Sequence, residues 1–339
     1  MTSPRTTRPL PLISVVAAAR ALTPAAARAQ DSNIPLPAAD IERQMATSDF
    51  EVLRVTPSRG YNTERTYQLT LTLAEDGSAQ QWKLAPAREG ADDFNNRPEY
   101  ELAPYVLQKL FLDEADYVVP PTVARAFPID RVREIVAMAP GNPNPVEQTF
   151  REWPLTLCVV QYWLQGVQPA TNEEIDDEDR FEEDEAFARH AANFNLLTYL
   201  IRHGDSNEGN FMTSLDPANP RIFSVDNGVA FSSEASDRGD YWRDLRFERF
   251  PASSIERLRA LDLETLQRQL GVLAQLELQG GRFVPVEPGE NLDAGRAIRR
   301  TEDTIQIGLE EGEIRSLHGR LTDLLERVDS GRYSTFGVP

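Results

Sequence analysis

The stretch Arg202-His203-Gly204-Asp205-Ser206-Asn207-Glu208-Gly209-Asn210-Phe211, followed by Ile222-Phe223-Ser224-Val225-Asp226-Asn227-Gly228-Val229-Ala230-Phe231, is a polar loop between an apolar helix-like run and an apolar strand. A second polar triplet follows that strand. Phosphoryl transfer requires a carboxylate beside the attacking hydroxyl and oxygen ligands for a divalent cation, and a loop-strand-turn unit holds such groups on fixed backbone. Asp205, Asn210 and Asp226 are residues of the required types. His203-x-Asp205 is followed five residues on by Asn210, and Asp226-Asn227-Gly228 lies just beyond the strand.

The rest of the chain sets bounds on this reading. With 339 residues it buries a sizeable core and is long enough for two lobes sharing a cleft. Its 35 Lys and Arg face 54 Asp and Glu, a net charge of −19, which argues against a partner gripped through nucleic-acid phosphates. An acidic surface also repels nucleotides, so a nucleotide site needs a divalent cation and local Lys or Arg. The single cysteine, Cys158, lies in the apolar run Leu155–Val160 and reads as a buried strand residue; it forms no intramolecular disulfide.

Arg5 and Arg8 precede the apolar run Leu10–Ala19, and Ala27-Arg28-Ala29 has the small-x-small form of a cleavage site. Residues 1–29 are expected to be a signal peptide, making the mature chain exported, periplasmic or secreted. Without such export the chain is cytoplasmic. The apolar run is too short for a stable bilayer anchor, and nothing later in the sequence reads as a membrane span.

From Phe50 the pattern becomes one of strands. Glu51–Val55 and the alternating Thr66–Leu73 are followed by an Asp76-Gly77 turn and Ala79–Pro86. Lys83, between Trp82 and Leu84, is placed to lay its stem on a packed sheet and extend its ammonium into a cleft. Ser58-Arg59-Gly60-Tyr61 stands where a phosphate-covering turn would be, with a single glycine. Ala103, Val106, Leu107, Leu110 and Phe111 predict a helix with one buried face. Glu101, with Glu99 in reserve, is the carboxylate expected to hold Lys83; a helix starting at Pro104 would instead make Glu101 a cap.

Tyr117–Ala126 reads as a turn into a strand whose entry two prolines fix, and Ile135–Met138 and Leu155–Val160 read as further strands with the Pro/Asn/Gly-rich Pro140–Pro145 loop between them. Tyr162 and Trp163 then stand either at a hinge beside a nucleotide base or in the core. The acidic run Glu173–Glu185 reads as a solvated connection, and Phe187–Ile201 as a helix leading into the polar loop. Beyond Phe231 the chain reads as helical, with Ser253-x-x-Glu256 as a capping box and Ile314–Val328 as the last helix.

In this order, Lys83, Glu101 in Glu-Leu-Ala-Pro-Tyr, Val119-Pro120-Pro121-Thr122-Val123, Asp205-x4-Asn210 and Asp226-Asn227-Gly228-x-Ala230-Phe231 resemble the atypical kinases related to phosphatidylinositol 3/4-kinases and to secretory-pathway kinases. His203-Gly204-Asp205 with Gly209-Asn210 is also similar to aminoglycoside and choline phosphotransferases. The resemblance spans roughly residues 50–250. It implies an α+β, two-lobed protein-kinase-like fold: an N-terminal lobe (residues 30–160) with an antiparallel sheet and one helix, and a mainly helical C-terminal lobe (161–339). It further implies that Lys83 binds ATP phosphates and Glu101 orients Lys83, with the adenine near Tyr162 and Trp163. Asp205 would position or deprotonate the hydroxyl of a protein or carbohydrate acceptor, and Asn210 and Asp226 would bind Mg²⁺ or Mn²⁺. His203 is expected to brace the loop. A catalytically weak pseudokinase is the alternative from another class.

Overall fold

Alternation along residues 67–73 buries Tyr67, Leu69, Leu71 and Leu73 on one face, and this strand sits inside an antiparallel sheet that dominates the N-terminal part of the chain. The computed structural model describes residues 33–58, 66–87, 97–141, 146–231 and 239–337. The leader over 1–29, Arg59, Gly60 and Tyr61 of the expected phosphate-covering turn, and residues 142–145 lie outside them.

After helix α1 (Ala38–Thr47) come β1 (Phe50–Pro57), β2 (Tyr67–Leu73) and β3 (Ala79–Pro86), then α2 (Pro98–Phe111), β4 (Thr122–Pro128), α3 (Ile129–Ala137) and β5 (Leu155–Tyr162). The five strands form one sheet in the order β1-β2-β3-β5-β4, every neighbouring pair antiparallel. Gly77 turns the β2–β3 hairpin at φ +71°, with Asp76 Oδ1 accepting from Ser78 N at 2.8 Å. All eight residues of β5 are buried, as its unbroken apolar run requires. Cys158 lies there as a free thiol, its pKa pushed up by burial.

The following part mixes short strands with helices. β6 (Val167–Pro169) precedes α4 (Asn172–Ile175), α5 (Glu178–Glu183) and the long α6 (Glu185–Ile201). β7 (Phe211–Ser214) and β8 (Ile222–Ser224) complete a three-stranded sheet in the order β6-β7-β8. β9 (Arg249–Pro251) leads to α7 (Ala252–Arg259) and α8 (Leu263–Leu270). Then come β10 (Ala274–Gln279), β11 (Arg282–Val286), β12 (Ile298–Arg300), β13 (Thr304–Ile307), α9 (Glu311–Asp329) and β14 (Ser334–Phe336). The chain is thus mixed α+β, with an antiparallel N-terminal sheet and several helices. Among the described residues no helix is long and apolar enough to cross a membrane.

Three sequence expectations need correction. Ile135–Met138 is not a strand: Ile129, Val132, Ile135 and Val136 are the buried residues of α3, a helical period that a four-residue apolar run hides. The region after Phe231 is not purely helical, because β10 to β13 form a four-stranded antiparallel sheet ordered β11-β10-β13-β12. Leu276-Glu277-Leu278 ahead of Gly280-Gly281 is an alternating strand followed by a hairpin turn, with both glycines at positive φ. The capping box at Ser253 is absent, since α7 begins at Ala252 with no side-chain cap. The neighbouring Ser254 donates to Asn193 Oδ1 at 2.7 Å instead.

Two apolar clusters matter for the site. One gathers α2, α6 and α9 around Phe194, Phe211 and Trp242. The other lies against the five-stranded sheet and contains Leu69, Leu71, Trp82, Cys158 and Val160. Strand β8 belongs to both, with Ile222 in the first and Phe223 in the second. Burying each such side chain stabilises the fold by about 1.5–3 kcal/mol, so β8 and the triplet after it are held from two sides.

Candidate active site

Helix α6 ends on Arg202, a non-glycine residue at φ +54° whose left-handed turn closes the helix through His203 N donating to Thr198 O at 2.9 Å. The loop then runs antiparallel to the Asp226 segment. Gly204 N donates to Val229 O at 2.8 Å, and Val225 N donates to Asn210 O at 2.9 Å. His203 is fully buried between the two stretches. Its Nδ1 accepts from Asp205 N at 3.3 Å, which leaves Nε2 as the donor to Asp226 O at 3.1 Å. Burial holds its pKa below the usual histidine range, consistent with that neutral tautomer. The ring bridges the two polar stretches by hydrogen bonding.

The triplet after β8 is fixed by its middle residue. Asn227 is fully buried; its Oδ1 accepts from Ser224 Oγ at 2.7 Å and its N–H donates to Glu101 Oε2 at 3.3 Å. Helix α2 runs unbroken from Pro98 through Pro104, so Glu101 is a first-turn helical residue and not a cap outside a helix starting at Pro104. Its other oxygen, Oε1, accepts from Lys83 Nζ at 3.2 Å. Lys83 also donates to Val225 O at 3.2 Å and lies 3.9 Å from Asp226 Oδ2. Residues from β3, α2 and the turn after β8 therefore meet at one point.

This is one lysine between two carboxylates. Burial alone would lower the Lys83 pKa, but Asp226 and Glu101 more than offset it and the net shift is upward. Burial, with Asp226 nearby, pushes Glu101 up to about 7 against the pull of Lys83. Burial would raise Asp226 as well, but Lys83 and hydrogen bonds from Glu101 and Gly228 bring it below the carboxylate range. The two carboxylates shift in opposite directions because one lysine cannot neutralise both.

Asp226 keeps 43% of its side-chain surface open while Lys83 and Glu101 are enclosed. Asn210 Nδ2 donates to Asp205 O at 3.0 Å, so its Oδ1 is the atom left to accept. Asn210 and Asp226 each carry a side-chain oxygen on segments joined by the Val225–Asn210 hydrogen bond, the type of ligand a magnesium-type ion takes. Among the described residues no three His, Cys, Asp or Glu side chains gather as an all-protein metal site. Asp205 is 8% exposed, and its Oδ1 accepts from Asn207 Nδ2 at 2.5 Å.

The expected base-contacting pair is divided in its surroundings. Tyr162 is buried in the sheet's core, its N–H donating to Pro121 O at 2.8 Å and its hydroxyl accepting from Gln165 Nε2 at 3.0 Å. Trp163 donates its N–H to Gln81 O at 3.0 Å and leaves 38% of its surface exposed. Glu99, the reserve for Glu101, is fully buried and 3.8 Å from Arg97.

Sequence reasoning passed over the residues that brace the loop from outside. Ser206 O accepts from Asn172 Nδ2 at 3.2 Å, and Asn172 Oδ1 accepts from Trp242 Nε1 at 2.8 Å. Ser206 Oγ accepts from Trp242 N at 3.3 Å. Trp242 is legible as an aromatic flanked by polar residues, but its partners lie 36 and 70 residues away. No protein-family model matches the chain, and no curated protein matches it either.

Proposed function

We propose that the chain is a two-lobed, kinase-like phosphotransferase that moves the γ-phosphoryl group of ATP to a hydroxyl of a protein or carbohydrate, with Mg²⁺ or Mn²⁺. The observation that carries this reading is the buried Lys83–Glu101 pair at 3.2 Å aimed at the open carboxylate of Asp226. An ion pair buried for stability alone is a poor investment. One that presents an ammonium beside an exposed carboxylate is suited to a polyanionic nucleotide.

In this reading Lys83 binds the nucleotide phosphates and Glu101 keeps its ammonium from folding away. Asn210 and Asp226 hold the cation, which neutralises charge developing on the transferred group. Asp205 orients the acceptor hydroxyl for in-line attack and receives its proton. His203 keeps the backbone of Asp205 and Asp226 in register and remains neutral throughout. Trp163 presents the exposed aromatic surface near the end of β5 for the adenine.

A nucleotide-binding module without turnover is the second reading. The near-complete enclosure of Asp205 and its hydrogen bond to Asn207 favour it, because a carboxylate so engaged is poorly placed to reach an acceptor hydroxyl. Incubating the chain with labelled ATP, Mg²⁺ or Mn²⁺ and a panel of proteins, glycans and small aminoglycoside- or choline-type alcohols separates the readings. Turnover that stops on chelation and falls at least about 10²-fold in Asp226→Ala is expected. A nucleotide-induced thermal shift without turnover supports the binding module, and neither effect removes both.

Export is a separate expectation. Protein recovered from outside the cytoplasm should begin at Gln30, and N-terminal sequencing that reads from Met1 or Thr2 would contradict it.

A further inference from the structure

We infer that Arg243 is an anion anchor on the acceptor side of this site, holding a phosphoryl-type oxyanion beside Asp205; the inference rests on the phosphotransferase reading. Trp242, fully buried and bonded to Ser206 and Asn172, seats the 3₁₀ turn Tyr241–Arg243 against the loop. Arg243, the next residue, lies across the loop backbone. A Cβ added to Gly204 would come within 2.6 Å of Arg243 Nη2 and 3.1 Å of Val229 Cγ1, so the glycine makes room for the guanidinium.

Its partners are what set this arginine apart. Arg125, Arg221, Arg299 and Arg320 each donate to backbone carbonyls. Arg243 Nε is buried with no hydrogen-bond partner, and among the described residues no hydrogen bond or ion pair of its guanidinium is formed, whereas Arg221 and Arg320, which also leave one buried nitrogen unbonded, donate from another. In a chain with 54 carboxylates that is a conspicuous vacancy of charge pairing. The cation sits beside His203, which it helps to keep uncharged. A planar fork of donors lying against Gly204, the residue before the expected base, suits a phosphoryl oxyanion. That anion has two possible sources: the group in transit from ATP, or a phosphate carried by the acceptor.

The test is equilibrium binding of inorganic phosphate, ADP and ATP, the nucleotides with Mg²⁺, to the full chain and to Arg243→Gln, Arg243→Lys and Gly204→Ala. Phosphate affinity is expected to fall about tenfold in Arg243→Gln. Gly204→Ala should fall similarly by displacing the guanidinium, with no further loss in the double variant, and Arg243→Lys should retain part of the affinity. ATP weakened with ADP unchanged assigns the anion to the group in transit. Both nucleotides unchanged, with phosphate weakened, assigns it to the acceptor.

Arg243→Gln should unfold at the same temperature as the parent or higher, since it removes an unpaired cation; a clear loss of stability would make Arg243 structural and overturn the inference. Equal phosphate binding by parent and Arg243→Gln, or none by the parent, also overturns it. Lys83→Met in parallel keeps the two readings apart. If Lys83→Met loses ATP while Arg243→Gln changes nothing, the anchor alone fails. If Lys83→Met binds ATP as the parent does, the phosphotransferase reading fails.

Discussion

Lys83→Met is expected to lower ATP turnover about 10²–10³-fold, the loss typical of removing one preorganised charge from a transition state. It is also expected to destabilise the chain in a pH-dependent way. Methionine fills most of the stem's volume but leaves Glu101 buried with no cation. Breaking a buried pair by removing one partner costs about 3–5 kcal/mol when the remaining charge cannot escape.

Glu101 has an escape, because it can bind a proton. Burial and Asp226 already raise its pKa from 4.5 to about 7, and losing Lys83 raises it further. A carboxyl whose folded pKa is raised contributes stability that is fully present below its unfolded value. That contribution is lost as pH rises through the folded value. The variant should therefore lie close to the parent near pH 5 and fall furthest behind near pH 8, as read from urea denaturation at both. Adding Glu101→Gln should restore most of the stability at pH 8 and none of the turnover. An equal deficit at both pH values would mean that Glu101 does not take up the proton and that the lost packing of Lys83 sets the cost.

The parts of this site legible in the sequence are those fixed by short spacing. Asp205, Asn210 and Asp226 sit on one loop-strand-turn unit, and the chemistry of that unit is local. Lys83 could be read because alternation around Trp82 and the Asp76-Gly77 turn place it on a third strand. Glu101 was ambiguous for a local reason, since a proline three residues on can either start a helix or interrupt one. The structure settles this in favour of interruption tolerated inside α2, whose first-turn position N1 is Pro98.

What could not be read depends on distant partners. Nothing near Asn172 or Trp242 says that both will bond to the Ser206 loop, and nothing near Arg243 says that its Nε will be buried without a partner. The misread strand at Ile135 and the missed hairpin at Gly280-Gly281 are different failures. In the first, an apolar run is too short to show its period; in the second, the short alternation Leu276-Glu277-Leu278 is outweighed by the helical reading of everything beyond Phe231.

Trp242→Ala is the second large effect expected, and it probes the half of the site that these distant contacts build. The indole is fully buried, packing edge-on against Phe194 with ring centroids 4.9 Å apart and bonding Asn172 through Nε1. Truncating a buried tryptophan costs about 3–5 kcal/mol through lost burial and the cavity left behind. Trp242→Phe keeps most of the ring contact and loses chiefly the Nε1 hydrogen bond, so about 1 kcal/mol is expected.

The functional consequence should be lopsided. Ser206 is held at three points, by Gly239 O on its N–H, by Trp242 N on its hydroxyl and by Asn172 on its carbonyl. Removing the indole frees Asn172 and loosens the turn that carries Trp242 N, so the neighbouring Asp205 loses its support. Lys83, Glu101 and Asp226 are held by α2, β3 and β8 and keep theirs. In both variants kcat should therefore fall while the KM for ATP stays near the parent value, with the larger drop in Trp242→Ala. A raised KM for ATP with kcat unchanged would place Trp242 on the nucleotide half of the cleft, and the division between a braced acceptor loop and a separately held nucleotide corner would then be wrong.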